Sequence, residues 1–211
     1  MNSLLIESHF LPSIEYFCAL TSAKKVILEK HENYVKQSYR NRCYVLTSQG
    51  VERLSIPLTA KHNKVPVAAV QIDYSYRWQT NFWRTLTSAY AKSPFFEHYA
   101  DDLHKELFFG ERFLFDLNQR LLSMCLKWLS SDLAISESAS YEEEASEGIL
   151  DLRNAISVKN DFSTRSFYQP HAYQQVFGSK FVPNLSVVDL IFCTGPEART
   201  IVKVSKGTAN N

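Results

Sequence analysis

No Cys-x-x-Cys pair, no Gly-x-x-x-x-Gly-Lys, no Gly-x-Gly-x-x-Gly, no Gly-x-Ser-x-Gly and no zinc-helix motif occurs anywhere in the 211 residues. These absences remove the phosphate-cradling loops, the nucleophile elbow and the paired-thiolate metal sites that short motifs announce. Cys18, Cys43, Cys125 and Cys193 lie far apart, and the N-terminus lacks a basic start, a long apolar run and a small-residue cleavage site. Free thiols and no leader predict a cytoplasmic protein. No apolar run approaches the roughly 20 residues of a membrane helix, so no integral membrane segment is expected. Net charge is lacking too: Lys plus Arg number 23 against 22 for Asp plus Glu. A chain so balanced exerts no general pull on nucleic acid, and any anion binding must be local.

What the chain has is core material. At 45% hydrophobic residues it can bury one domain over 1–211. "SLLIES" (Ser3 to Ser8) and "KKVILEK" (Lys24 to Lys30) read as strands, and "SIEYFCALTSA" (Ser13 to Ala23) between them as a helix with Ser13 as its N-cap. Strand, helix, strand predicts a βαβ unit with parallel pairing. "CYVLTSQGVERLSIPL" predicts a hairpin turning near Gln49-Gly50, and "VPVAAVQIDY" (Val65 to Tyr74) a further strand. Phe82, Leu86 and Ala89 with Tyr90 form one helical stripe; Phe96, Tyr99, Leu103 and Leu107 form a second, and Leu114, Leu117, Leu121 and Trp128 a third. The helical region is therefore about 81–130. "SESASYEEEASEG" (Ser136 to Gly148) holds five glutamates and no base, so about 131–148 reads as a solvated loop. "SVVDLIFCTGP" (Ser186 to Pro196) carries a Ser-x-x-Asp capping box and a Gly-Pro stop. The expected fold is α/β, a mostly parallel sheet opened by the βαβ unit, with α+β as the alternative.

One stretch resists a packing explanation. "YVKQSYRNRC" (Tyr34 to Cys43) has three cations, and no carboxylate stands from Asn33 to Val51. In an extended chain Lys36, Ser38, Arg40 and Arg42 would share one face, with Tyr39 and Asn41 on the other, and neither face is apolar. Lys36, Arg40 and Arg42 are thus candidates to clamp a small anionic or sugar-linked ligand beside Asn41, with Tyr34 or Tyr39 stacking on it; the competing reading is a solvated strand face. On the clamp reading, Arg40→Ala weakens ligand binding and leaves the melting temperature nearly unchanged. His9 follows the first strand, where open α/β sheets bind ligands, and is the candidate general base. His98 and Asp102 share a helix face, a spacing too unspecific for a metal site, and none is expected. Arg153 could join the anion site. No cofactor and no oligomeric state follow from these residues.

Several segments together resemble the WbqC-like proteins of bacterial polysaccharide gene clusters. That family opens with a turn similar to "QPYFFPYIGYFQLI", where this chain has "ESHFLPSIEYFCAL" (Glu7 to Leu20). The likeness continues through "YVKQSYRNRCYV", "FWRTLTSAYAKSPFFEHY" (Phe82 to Tyr99), "DLRNAISVK" (Asp151 to Lys159) and "FVPNLSVVDLIFCTGPEA" (Phe181 to Ala198). The resemblance implies a part in making O-antigen or a related surface glycan, with transfer of a small acyl or aminoacyl (glycine-like) group as one activity and a non-catalytic adaptor as another. The opening also looks like nucleotidyltransferase-type ligases, but Ser13, Ile14, Glu15 and Tyr16 stand where those carry His-x-Gly-His. Adenylation by that motif is not implied.

Overall fold

A computed structural model of the chain describes residues 3–59 and 64–207. The expected first strands form: β1 (Ser3–Glu7) and β2 (Lys25–Glu29), joined by the short helix α1 (Ile14–Leu20). They pair in parallel, with Leu4 opposite Val26 and Glu7 opposite Glu29. Leu4, Ile6, Val26 and Leu28 are all buried, which is why these runs are apolar and β-branched rather than alternating with charge. Two late, short strands complete the sheet, β5 (Ala134–Glu137) beside β2 and β6 (Ile149–Asp151) beside β1, in the order β5-β2-β1-β6, all parallel. The fold is α/β, with a separate antiparallel hairpin, β3 (Arg42–Thr47) and β4 (Gly50–Ser55). Its two-residue turn is Ser48-Gln49, close to the expected Gln49-Gly50, and Gly50 opens β4 at φ 104.

Helices α2 (Trp78–Tyr90), α3 (Phe96–Leu107) and α4 (Leu114–Trp128) bury the three apolar stripes, and α5 (Val187–Thr194) is buried on every side, as an apolar helix must be. A last helix, α6 (Ala198–Val204), packs against α1. Among the described residues no helix is long and apolar enough to cross a membrane.

Four local expectations are overturned. Residues 34–42 are not extended: the chain turns at Lys36-Gln37, Gln37 takes φ 56, and a 3-10 turn follows at Tyr39–Asn41. Ser38 closes that turn by donating to the Val35 carbonyl at 2.6 Å, a side chain outcompeting the strand ladder. "VPVAAVQIDY" forms no strand; Pro66 leads into a 3-10 turn at Val67–Ala69, and the backbone satisfies itself against neighbouring segments, Leu114 N–H donating to Val70 O at 2.9 Å. The acidic stretch yields Ser136 and Glu137 to β5. Neither serine cap forms as expected: Ser13 Oγ has no partner among the described residues, and Ser186 Oγ donates to Leu11 O at 2.7 Å. Instead the two segments cap each other. Asn184 Oδ1 accepts from Glu15 N and Leu185 O from Ile14 N at the start of α1, while Pro12 O accepts from Val187 N at the start of α5.

Candidate functional site

The sheet order reverses at β1. From β1 the chain moves to β2 and then outward to β5, whereas β6 returns on the other side of β1, so the crevice beyond the carboxyl ends of β1 and β6 is where such sheets bind ligands. β1 delivers Glu7 and His9 to that crevice, and β6 delivers Asn154 just after it.

Glu7 is fully buried, yet every contact it makes favours its charge. Oε1 accepts from His9 Nε2 at 3.0 Å, Oε2 accepts from the Asn154 backbone N–H at 2.9 Å, and the Arg40 guanidinium lies 4.0 Å away. Burial raises its pKa, but the His9 hydrogen bond, the Arg40 charge and the Asn154 N–H outweigh burial and leave it below the usual carboxylate value. His9 is 1% exposed, and burial pulls its pKa below the ordinary histidine value although Glu7 opposes the shift. The pair is therefore a carboxylate and a neutral imidazole. With Nε2–H donated to Glu7, the remaining ring nitrogen, Nδ1, carries a lone pair, and it has no partner among the described residues. Tyr16 lies on one side of the ring at 4.6 Å and Tyr39 stacks on it at 5.2 Å. Tyr16 is itself fixed, its hydroxyl donating to Glu7 O at 2.8 Å.

The basic stretch disperses. Arg40 is 1% exposed and grips Glu32 with a fork, Nε to Oε1 at 2.7 Å and an Nη to Oε2 at 2.6 Å, while the same Nη donates to Asn154 Oδ1 at 2.9 Å. Burial opposes the Arg40 charge, but the Glu32 fork more than offsets it and its pKa ends above the ordinary value. Lys36 is exposed, Arg42 is half-buried at the start of β3, and Asn41 donates through Nδ2 to Ile56 O at 2.9 Å. Lys36, Arg40 and Arg42 thus do not converge on one face. Tyr34 is buried and its backbone N–H donates to Val65 O. Arg153 holds Asp151 and reaches Glu29 at 3.4 Å, forming a second buried ion pair beside the first. His98 and Asp102 do not meet other metal-ligating side chains among the described residues; Asp102 accepts from Trp128 Nε1.

On the far side of Tyr39 from His9, which is not in its wall, lies a hollow of about 280 Å³. Tyr39 belongs to both, stacking on the imidazole and lining the hollow, and Tyr44 meets its edge at 5.9 Å. Phe162, Asn160, Asp161 and Asn184 supply the remaining aromatic and polar wall. Burial pushes the Tyr39 phenol up to about 12, so it stays protonated. At the rim Arg165 is not free: its guanidinium forks onto the fully buried Glu15, which also accepts from Asn184 Nδ2 at 2.9 Å. Glu7, Glu15, Glu32, Asn154 and Arg165 were all missed by sequence reading. Glu32 stands one residue before the carboxylate-free window that drew attention to Arg40, so a slightly wider window would have exposed the pair; nothing in the sequence signals the Glu15–Arg165 contact, which joins residues 150 apart.

Asp189 is also placed differently from expectation. It does not cap α5; burial raises its pKa while Tyr173, Tyr90 and Gln175 donate to its carboxyl group, Tyr90 at 2.7 Å. Tyr90 in turn accepts from Leu46 N–H at 3.0 Å, tying α5 and α2 to the hairpin.

The model of the WbqC-like protein family matches residues 7–166 and 158–201. An uncharacterized protein of Mycobacterium tuberculosis, Rv1507c, is 25% identical over 222 residues, covering 92% of this chain and 94% of its own. No solved structure matches the chain significantly.

Proposed function

Because the chain belongs to the WbqC-like protein family, we propose that it serves in the making of bacterial surface polysaccharide such as O-antigen, transferring a small acyl or aminoacyl group to a sugar-linked acceptor. The observation that carries this reading is the His9–Glu7 dyad beside the tyrosine-lined hollow. Glu7 fixes the imidazole tautomer so that Nδ1 is the basic nitrogen, and the low pKa keeps that nitrogen unprotonated near neutral pH. In the hollow, Tyr39 and Tyr44 offer apolar faces to a sugar ring and Asn160 and Asp161 offer hydrogen bonds to its hydroxyls, a mostly apolar wall with few polar groups. His9 Nδ1 takes the proton of an acceptor hydroxyl or amine as that atom bonds to the carbonyl carbon of an activated acyl donor. The bond from that carbon to the leaving group breaks, and the imidazolium returns the proton to the leaving group. Because the His9 ring lies beneath Tyr39, the step requires Tyr39 to swing aside.

The same burial of His9 favours a second reading, a non-catalytic protein of the pathway that holds a sugar-linked ligand in the hollow while His9 acts as structure. One experiment separates the two. Wild type and His9→Gln are screened for binding of nucleotide sugars by thermal shift, then incubated with the bound sugar and acyl or aminoacyl donors, with products read by mass spectrometry. Transfer by the wild type that disappears in His9→Gln while sugar binding persists supports catalysis. Sugar binding without transfer in either protein supports the second reading. No sugar bound by either protein sinks both.

A further inference from the structure

At the opposite end of the sheet from His9 a second hollow opens, of about 340 Å³, where α1 and α4 end against α6. Its mouth lies at the amino ends of β2 and β5, since Ala23, Lys24 and Leu133 just precede those strands and line it. The floor is Leu20, Leu126, Leu129 and Val202, all buried in the surrounding protein yet leaving this volume unfilled. An open concavity with an apolar floor is the kind of surface that takes an apolar guest. Three cations stand around the floor: Lys24, Arg199 and Lys203 are exposed and none makes an ion pair among the described residues. Asp132 is the one carboxylate in the lining, against those three. Charge and surface therefore ask for the same molecule, apolar at one end and negative at the other.

We infer that this hollow, with Leu20, Leu129 and Val202 as its floor and Lys24, Arg199 and Lys203 at its rim, binds a small amphiphilic anion: a short acyl chain bearing a carboxylate or phosphate head. The volume lies near the lower bound of ligand sites, roughly 300–1,000 Å³, which suits a short chain rather than a long lipid tail. The inference does not depend on the His9 chemistry.

Calorimetry tests it with octanoate, octyl phosphate and neutral octanol, all below the concentrations at which they aggregate. The expected result is saturable binding of octanoate or octyl phosphate at a single site, with octanol bound more weakly. Replacing both rim cations, Arg199→Gln with Lys203→Gln, should weaken the anion by about fivefold or more, because two exposed charges and their hydrogen bonds are lost. Ala23→Phe, which projects a ring into the hollow, should abolish binding of both anions. The rim residues are exposed, so an unchanged melting temperature of the double Gln variant certifies that it folds. The proposal is overturned if neither anion binds saturably, if octanol binds as tightly as the anions, or if affinity survives the paired Gln substitutions.

Discussion

Removing the Arg40 side chain strands a carboxylate. Glu32 would lose both arms of its fork inside the protein, and breaking one partner of such a buried pair costs about 3–5 kcal/mol. Arg40→Ala should therefore lower stability in urea denaturation by that amount, which replaces the expectation that it would hardly move the melting temperature. Lys36→Ala, an exposed residue, should change stability by no more than about 0.5 kcal/mol. Replacing both members of the pair, Glu32→Gln with Arg40→Met, should cost less than Arg40→Ala alone, since Glu32 is then no longer a stranded charge and Glu7 keeps its His9 and Asn154 hydrogen bonds. His9 predicts a pH signature. Its folded pKa lies below the ordinary value of about 6.5, so the unfolded chain takes up the proton first as pH falls. The His9 contribution to stability is whole above about pH 6.5 and declines below it until the folded pKa is reached. Melting temperature followed against pH should thus fall more steeply in wild type than in His9→Gln just below that value. If the transfer chemistry holds, its rate should fall with acid only below the ordinary histidine value, because the imidazole resists protonation.

Between elements, the decisive contact is the mutual capping of α1 and α5. Asn184 sits at φ 56, donates to the Glu15 carboxylate and accepts from the Glu15 backbone, so one residue holds a left-handed turn, a helix start and a buried charge. Asn184→Ala should cost about 2–4 kcal/mol, combining left-handed strain with unsatisfied buried groups. Asn184→Gly, which accepts that backbone freely, should cost less, and paired denaturation curves read the difference. This level also shows what a sequence can reveal. Helices α2, α3 and α4 are legible because Phe82, Leu86 and Tyr90, or Leu114, Leu117 and Leu121, repeat at the helical period, and β1 and β2 because their apolar runs are short and bounded. Ser13 and Ser186 carried the right residue type at the right place, yet the groups that cap their helices come from the far end of the chain. Asp189 was misread because its partners lie outside its own helix, Tyr90 as far as 99 residues away. That His9 just follows the first strand was legible from where the apolar run ends; its partner Glu7, two residues away, was hidden inside an ordinary strand.

Across the whole molecule, β1 and β2 are the sheet strands bonded on both sides, while β5 and β6 form the edges. Native-state hydrogen exchange should find the amides of Leu4, Leu5 and Ile6 among the slowest and those of Ala134 to Glu137 faster, because an edge opens without disturbing the rest. Equal protection in β1 and β5 would count against this ranking. Of the strands in that sheet, the two central in space leave the ribosome before their outer neighbours, β5 and β6, the latter beginning only at Ile149. At roughly 5–20 residues per second, β1 and β2 wait several seconds or more for β5 and β6 to emerge. Throughout that interval a nascent chain shows "SLLIE" and "KVILE" with open backbone edges and apolar faces, which makes this pair the natural grip for a chaperone during synthesis and the first segment at risk of sticking to its own kind when production outruns folding.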